Sequence, residues 1–205
     1  SVLDVGCATG SLLAKAREEG HTGRLAGIDP DLAMLERARR RVPDADWVEG
    51  KAADIAWVGE FEVAVMASNA FQFLVTDLEE SLTRIRAALV DGGRFVFATR
   101  NPEVREWESW NPTNPYDIVD HNGRELRMIY HVEEVEGDVV TFTETTALRD
   151  DTPLRTDRAS LNFLGVDTLN AVLTMAGFTV EAQYGDWTRG PLTSTSEDII
   201  TVARR

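Results

Sequence analysis

Gly6 and Gly10 flank Cys7-Ala8-Thr9 directly after the apolar run Val2-Leu3-Asp4-Val5, and Ser11 to Ala16 continues as an amphipathic helix. A strand that runs into a glycine turn at a helix entrance presents backbone N–H groups with no Cβ in the way, which is the chemistry of a nucleotide-type site. The spacing excludes two such sites. A dinucleotide fingerprint, G-x-G-x-x-G, needs glycines where this chain has Gly6, Ala8 and Ser11, and no Gly-Lys-Ser/Thr follows to make a phosphate loop. Asp29 closes the run Leu25-Ala26-Gly27-Ile28, about 20 residues beyond the turn, where the end of a second strand meets the same crevice. A carboxylate there can accept both hydroxyls of a ribose, each charge-assisted bond contributing about 1.5 to 3 kcal/mol. Dinucleotide sites use the same acid, so Asp29 alone does not choose between ligands. An ordinary strand-to-helix turn and an acid capping a Pro-led helix at Pro30-Asp31 are the plain structural alternatives.

These residues need a sheet to position them. Val48 to Asp54 follows a third short strand, Phe61 to Ala67 is a fourth, and Ser68-Asn69-Ala70-Phe71-Gln72-Phe73-Leu74 leaves its end. Leu78, Leu82, Ile85 and Leu89 share one helical face after a Thr76-x-x-Glu79 capping box, Gly92-Gly93 stops that helix, and Arg94 to Ala98 is a fifth strand. A helix from Asp167 to Ala176 ends at Gly177, and Phe178 to Ala182 with Ile199 to Ala203 forms the closing pair of strands. Residues 101–164 are an insertion. It opens with Pro102, Pro112 and Pro115 among Trp107, Trp110 and Tyr116, then alternates Leu126, Met128, Tyr130 and Val132 on one face with Arg127, Ile129 and His131 on the other. Turns at Glu136-Gly137-Asp138 and Asp150 to Pro153 make it a three-stranded meander. Because it follows the carboxyl end of a sheet strand, this flap is expected to overhang the crevice or meet a partner subunit.

With 205 residues the chain suits one domain, residues 1–205, able to bury about 70% of its unfolded surface. The single cysteine, Cys7, cannot form an internal disulfide and fits a reducing, cytoplasmic setting. No run approaches the ~20 apolar residues of a membrane span. A formal charge of −14 opposes a nucleic-acid partner, and the cluster Arg37 to Arg41 reads as a solvated helix face. The histidines His21, His121 and His131 are scattered, so no metal site is expected.

Asp4-x-Gly6-x-x-x-Gly10 resembles motif I of the class I S-adenosylmethionine-dependent methyltransferases, and Gly27-Ile28-Asp29-Pro30-Asp31-Leu32-Ala33-Met34-Leu35 resembles their motif II. Gly50-Lys51-Ala52-Ala53-Asp54 is similar to the family's G-D-A-x-D segment, with Lys51 departing from its first acid, and Ser68 to Leu74 resembles motif IV. The resemblance implies a Rossmann-like, doubly wound α/β fold with a seven-stranded sheet whose last strand is antiparallel, here carrying the inserted antiparallel flap. It also implies S-adenosylmethionine as cofactor and S-adenosylhomocysteine as product. Asp4, Gly6, Cys7, Ala8, Gly10, Asp29, Pro30, Met34, Ala53, Asp54, Ser68 and Asn69 would contact that cofactor, Asp54 through the adenine amino group. Arg100 to Trp110 and Gly185 to Arg205 are similar to a bacterial-type group of small methyltransferases with unassigned acceptors. Family members commonly carry helices ahead of motif I, so part of a lid is expected before Ser1.

The family's N/D-P-P-Y/F sequence of nucleobase N-methylation is absent, since Ser68-Asn69-Ala70-Phe71 stands in its place. The expected reaction is therefore methyl transfer to a small-molecule acceptor, by a monomer or a homodimer formed through the flap. Phe71, Gln72, Arg100, Asn101, Trp107 and Tyr116 are expected to bind the acceptor where adjacent strand ends converge. Alignment at about 3 to 3.5 Å supplies most of the rate. If a proton must leave, His121, His131 or Tyr116 would take it once the flap folds back. A non-catalytic cofactor-binding protein and a nicotinamide-dependent oxidoreductase are the alternatives.

Overall fold

The computed structural model describes residues 1–120 and 123–205. In chain order the elements are β1 (Val2–Val5), α1 (Ser11–Glu18), β2 (Leu25–Asp29), α2 (Leu32–Arg41), β3 (Asp46–Glu49), β4 (Phe61–Met66), α3 (Leu78–Ala88) and β5 (Leu89–Arg100). They continue as β6 (Tyr116–Val119), β7 (Glu125–Glu136), β8 (Val139–Ala147), β9 (Pro153–Asn162), α4 (Val166–Met175), β10 (Thr179–Tyr184) and β11 (Asp198–Arg204). One sheet has the order β10-β11-β5-β4-β1-β2-β3. Its strands β3, β2, β1, β4 and β5 run parallel, while β11 is antiparallel to both β5 and β10. Parallel strands covered on both faces read as unbroken apolar runs, and Leu25–Asp29 is accordingly buried at every position.

Alternate residues of a strand point to opposite faces, and two clusters divide accordingly. Leu3, Ala26 and Ile28 pack with Leu82 and Ile85 of α3 and Leu169 and Leu173 of α4. On the other face Val2 and Leu25 pack with Leu13 of α1, Val42 and Trp47. Trp47 lies so close to the glycine turn that a Cβ built on Gly10 would meet its ring at 2.6 Å, and one built on Gly27 at 2.5 Å. Both glycines are needed to admit the indole, and Gly10 also adopts φ +70° at the entrance to α1.

The insertion forms a second sheet in the order β6-β7-β8-β9, all antiparallel. Its core is Val140, Phe142, Leu161 and Phe163, with Trp107, Trp110 and Tyr130 packed against them. Three expectations need correction. The meander has a fourth strand, β6, laid along its edge by Tyr116 to Val119. The Thr76-x-x-Glu79 capping box does not form, because the helix begins one residue later with Asp77 as N-cap and no side-chain cap bond. Gly92-Gly93 does not end α3 either, since the helix already stops at Ala88, and Leu89 leads into a strand that contains both glycines. Among the described residues no helix is long and apolar enough to cross a membrane.

Candidate active site

The parallel strands deliver Gly6, Asp29, Ser68 and Arg100 to the same edge of the sheet, each at or just beyond a carboxyl end. A cavity of about 360 Å³ lies there, walled by Gly6 after β1, Asp29 and Pro30 after β2, Gly50 to Ala52 after β3, and Ala70, Phe73 and Leu74 after β4. Gly6 turns the chain at φ +74°, where an added Cβ would stand 3.2 Å from the Ala70 Cβ. The turn is held by Asp29. Its Oδ2 accepts the Ala8 N–H at 2.8 Å, and its Oδ1 accepts the Asp31 N–H at 2.9 Å. Each oxygen keeps a lone pair, so the carboxylate on the cavity wall can accept two more donors. Asp31 in turn caps α2 by accepting from Ala33 and Met34.

Asp4 is buried beneath this turn, 3% exposed, and burial together with the charge of Asp29 pushes its carboxyl up to about 7. Cys7 is buried beside it, and burial with the two carboxylates pushes its thiol far above the ordinary range. Such a thiol stays protonated and inert.

Ala8 takes part through its backbone, at φ +45°. The other expected cofactor residues lie outside the cavity wall. Gly10 faces Trp47, Met34 is on α2, and Ala53 follows Ala52 in a short 3-10 turn. Asp54 is exposed, with its Oδ2 turned back onto the Lys51 N–H at 2.8 Å, so its carboxylate closes that turn. Asn69, at φ +58°, bonds Asp198 on β11 at 3.3 Å.

Ser68 belongs to a second cavity of about 350 Å³ between the sheet edge and the flap. Phe73 lines both cavities and is 61% exposed, so its ring stands at their junction. The flap wall carries Trp110, Tyr116, Tyr130, Phe142 and Glu144. Tyr130 and Glu144 are directly opposed across β7 and β8, and the Tyr130 hydroxyl donates to Glu144 Oε2 at 2.6 Å. Its one proton is thereby used, so the 3.2 Å contact between the two tyrosine hydroxyls has Tyr116 as donor. The chain runs Tyr116 to Tyr130 to Glu144 and leaves the Tyr116 oxygen able to accept. Burial first, then the bond to Glu144, pushes Tyr130 well above the usual phenol range, so it stays protonated.

Several expected acceptor residues do other work. Phe71 is a core residue, 1% exposed and stacked on Phe97 at 4.2 Å, and no ligand can reach its ring. Gln72 is fully buried, donates to the Asn162 carbonyl at 3.1 Å and accepts from the Arg100 N–H at 3.2 Å. Asn101 is buried too, bonded to the carbonyls of Thr193 and Ser196. Trp107 packs edge-on against Phe163 at 4.5 Å and lines a separate surface depression with His131. Arg100 and Tyr116 do line the flap cavity. His121 lies outside the described residues. Sequence reasoning passed over Phe73, Tyr130 and Glu144. The in-facing alternation of Tyr130 was a signal, but its partner depends on strand register. Among the described residues no group of three or more His, Cys, Asp or Glu is placed to hold a metal ion.

Residues 2–93 match the family profile described as Methyltransferase domain. The trans-aconitate 2-methyltransferase of Paracidovorax citrulli is 34% identical over 108 residues, covering 51% of this chain and 40% of that protein. The 2-phytyl-1,4-naphtoquinone methyltransferase of Trichormus variabilis is 29% identical over 120 residues, covering 53% and 52%. The aligned stretch thus spans about half or less of these relatives' length. Among solved structures, an S-adenosylmethionine-dependent methyltransferase from Clostridium acetobutylicum superposes with TM-score 0.81 at 13% identity, covering 99% of this chain and 82% of the other. A SAM-bound amino pentose methyltransferase from Micromonospora echinaspora superposes with TM-score 0.70 at 21% identity, covering 100% and 82%. Residues 2–93 thus carry the sequence of a methyltransferase domain, and the chain over its whole length has the fold of solved S-adenosylmethionine-dependent methyltransferases.

Proposed function

We propose that the chain transfers a methyl group from S-adenosylmethionine to a small-molecule acceptor held under the flap. The observation that carries this is the junction at Phe73: a cavity with a ribose-competent carboxylate opens beside a second, aromatic cavity, and one ring borders both. Gly6, Asp29, Pro30 and the Gly50 to Ala52 segment fit the cofactor. The donor set agrees, because the Asp29 oxygens retain two acceptor positions on the cavity wall and Gly6 lets the backbone approach. When bound, the cofactor supplies an electrophilic sulfonium methyl.

The chain's own residues then have three tasks. Asp29 fixes the glycine turn while accepting from the ligand. Phe73 and the flap aromatics exclude water and orient the acceptor, an alignment effect able to contribute about 7 to 11 kcal/mol. Tyr116 accepts a proton from an acceptor N–H or O–H and passes one through Tyr130 to Glu144, a route built into the resting hydrogen bonds.

Calorimetry with S-adenosylhomocysteine, S-adenosylmethionine and NAD tests the cofactor half. Saturable binding of the first two with none of NAD is expected, and NAD binding as tight as either overturns the reading in favour of a nicotinamide enzyme.

A further inference from the structure

The flap cavity has a charge pattern that its aromatic walls make specific. Arg100 reaches into it, but its charge is already paired within the protein. Its Nε pairs with Glu106 Oε2 at 2.7 Å, its Nη1 donates to Gln72 Oε1 at 3.1 Å, and its flat face covers Trp110 at 5.4 Å. Arg100 and Glu106 therefore cancel. Glu144 has no such partner: Oε2 accepts a hydrogen bond from the Tyr130 hydroxyl, and among the described residues no cation stands within ion-pairing distance. Arg155, the cation whose field it feels, is itself paired with Asp157 at 2.6 Å. One uncompensated carboxylate thus faces a space of about 350 Å³ bordered by the rings of Trp110, Tyr116 and Tyr130.

We infer that this cavity recognises a compact cationic amine, with Glu144 as its counter-charge and the rings of Trp110, Tyr116 and Tyr130 as its cage. The assignment of that amine as the methyl acceptor rests on the reading of the cavity under Proposed function. Aromatic faces attract an ammonium group through the ring quadrupole, and the attraction grows as water is excluded. An anionic ligand would stand against Glu106 and Glu144, with the charge of Arg100 already paired to Glu106. A neutral alcohol would gain a hydrogen bond but neither of the charge terms. The chain's net charge of −14 acts in the same direction at long range.

The test uses three probes of one shape, cyclohexylamine, cyclohexanol and cyclohexanecarboxylate, titrated into the protein at pH 7 by NMR with and without S-adenosylhomocysteine. Cyclohexylamine should bind about tenfold or more tighter than either of the others, a difference of about 1.4 kcal/mol. Glu144→Gln keeps the shape and removes the charge, so it should bring the amine to within about twofold of the alcohol while leaving S-adenosylhomocysteine affinity unchanged. Equal affinities of amine and alcohol in the wild type, tightest binding of the carboxylate, absence of saturable amine binding, or a preference that survives Glu144→Gln would each overturn the proposal. An amine preference in a protein that fails to bind S-adenosylhomocysteine would support the amine site and instead sink the cofactor reading.

Discussion

Replacing Asp29 separates its two roles. In the wild type its carboxylate holds the Ala8 N–H at 2.8 Å and the Asp31 N–H at 2.9 Å, and the Ala8 backbone it restrains sits at φ +45°, a conformation L-residues avoid. Asp29→Ala removes both bonds, each contributing at most about 1.5 to 3 kcal/mol. Part of this returns, since the freed N–H groups can meet water and the buried Asp4 loses a like-charged neighbour. A net loss of about 2 kcal/mol lowers the melting temperature by about 4 to 8 °C for a domain of this size. On the ligand side the loss of one charge-assisted ribose bond weakens S-adenosylhomocysteine by about 10- to 150-fold. Asp29→Asn keeps one acceptor oxygen but sets its NH2 against the other backbone N–H, donor against donor, so its melting temperature should also fall below the wild type, with most of the ligand affinity still lost. Calorimetry and thermal melting on the same samples read both quantities. If either variant melts lower yet binds S-adenosylhomocysteine as the wild type does, the carboxylate serves the turn alone and the cofactor assignment is wrong.

Gly27→Ala should destabilise by about 1 to 3 kcal/mol or more through overpacking, because its Cβ would stand 2.5 Å from the Trp47 ring and 2.8 Å from the Cys7 Sγ; an unchanged melting temperature and Trp47 emission would refute that packing. For Asp4 the folded value near 7 exceeds the unfolded 3.8, so the native state holds an extra proton between about pH 4 and 7. Its contribution to stability is then complete below about pH 4, falls through that window and is gone above about pH 7. Asp4→Asn should remove a slope totalling roughly 2 to 4 kcal/mol, seen as the difference between wild-type and variant denaturation curves across pH, and parallel curves would contradict the burial argument.

What was legible in the sequence follows from how strongly local chemistry determines each feature. β1, β2 and β4 are short apolar runs between polar segments, and the glycine turn after β1 is written in consecutive residues, so the parallel half of the sheet and the position of Asp29 could be read directly. β6 escaped because Tyr116 to Val119 is an edge strand of mostly exposed residues behind three prolines, with no buried face to produce a pattern. Phe71 looked like a site residue because it follows a strand end, yet a 3-10 turn rolls its ring inward onto Phe97 and leaves Phe73 outside. The pairing of Tyr130 with Glu144 is set by the register that the Gly137 turn and an irregularity between Val132 and Glu134 impose. One residue of slip would have put a different partner opposite Tyr130, and no spacing in the sequence fixes that choice.

Gln72 gives the flap an unusual mode of attachment. Its amide clasps the Arg100 N–H, the last residue before the insertion, and the Asn162 carbonyl, the last residue of β9. The inserted chain thus leaves and rejoins the seven-stranded body through a single doorway whose two jambs are tied by one buried side chain. Closing such an excursion costs only about 0.6 kcal/mol more for each doubling of its length. The stretch between the jambs can therefore lengthen, shorten or be exchanged for another without disturbing the glycine turn or Asp29. If the flap holds the acceptor as proposed, acceptor preference is a replaceable cassette, and a transplanted flap should bring its own substrate while the recipient keeps its methyl donor.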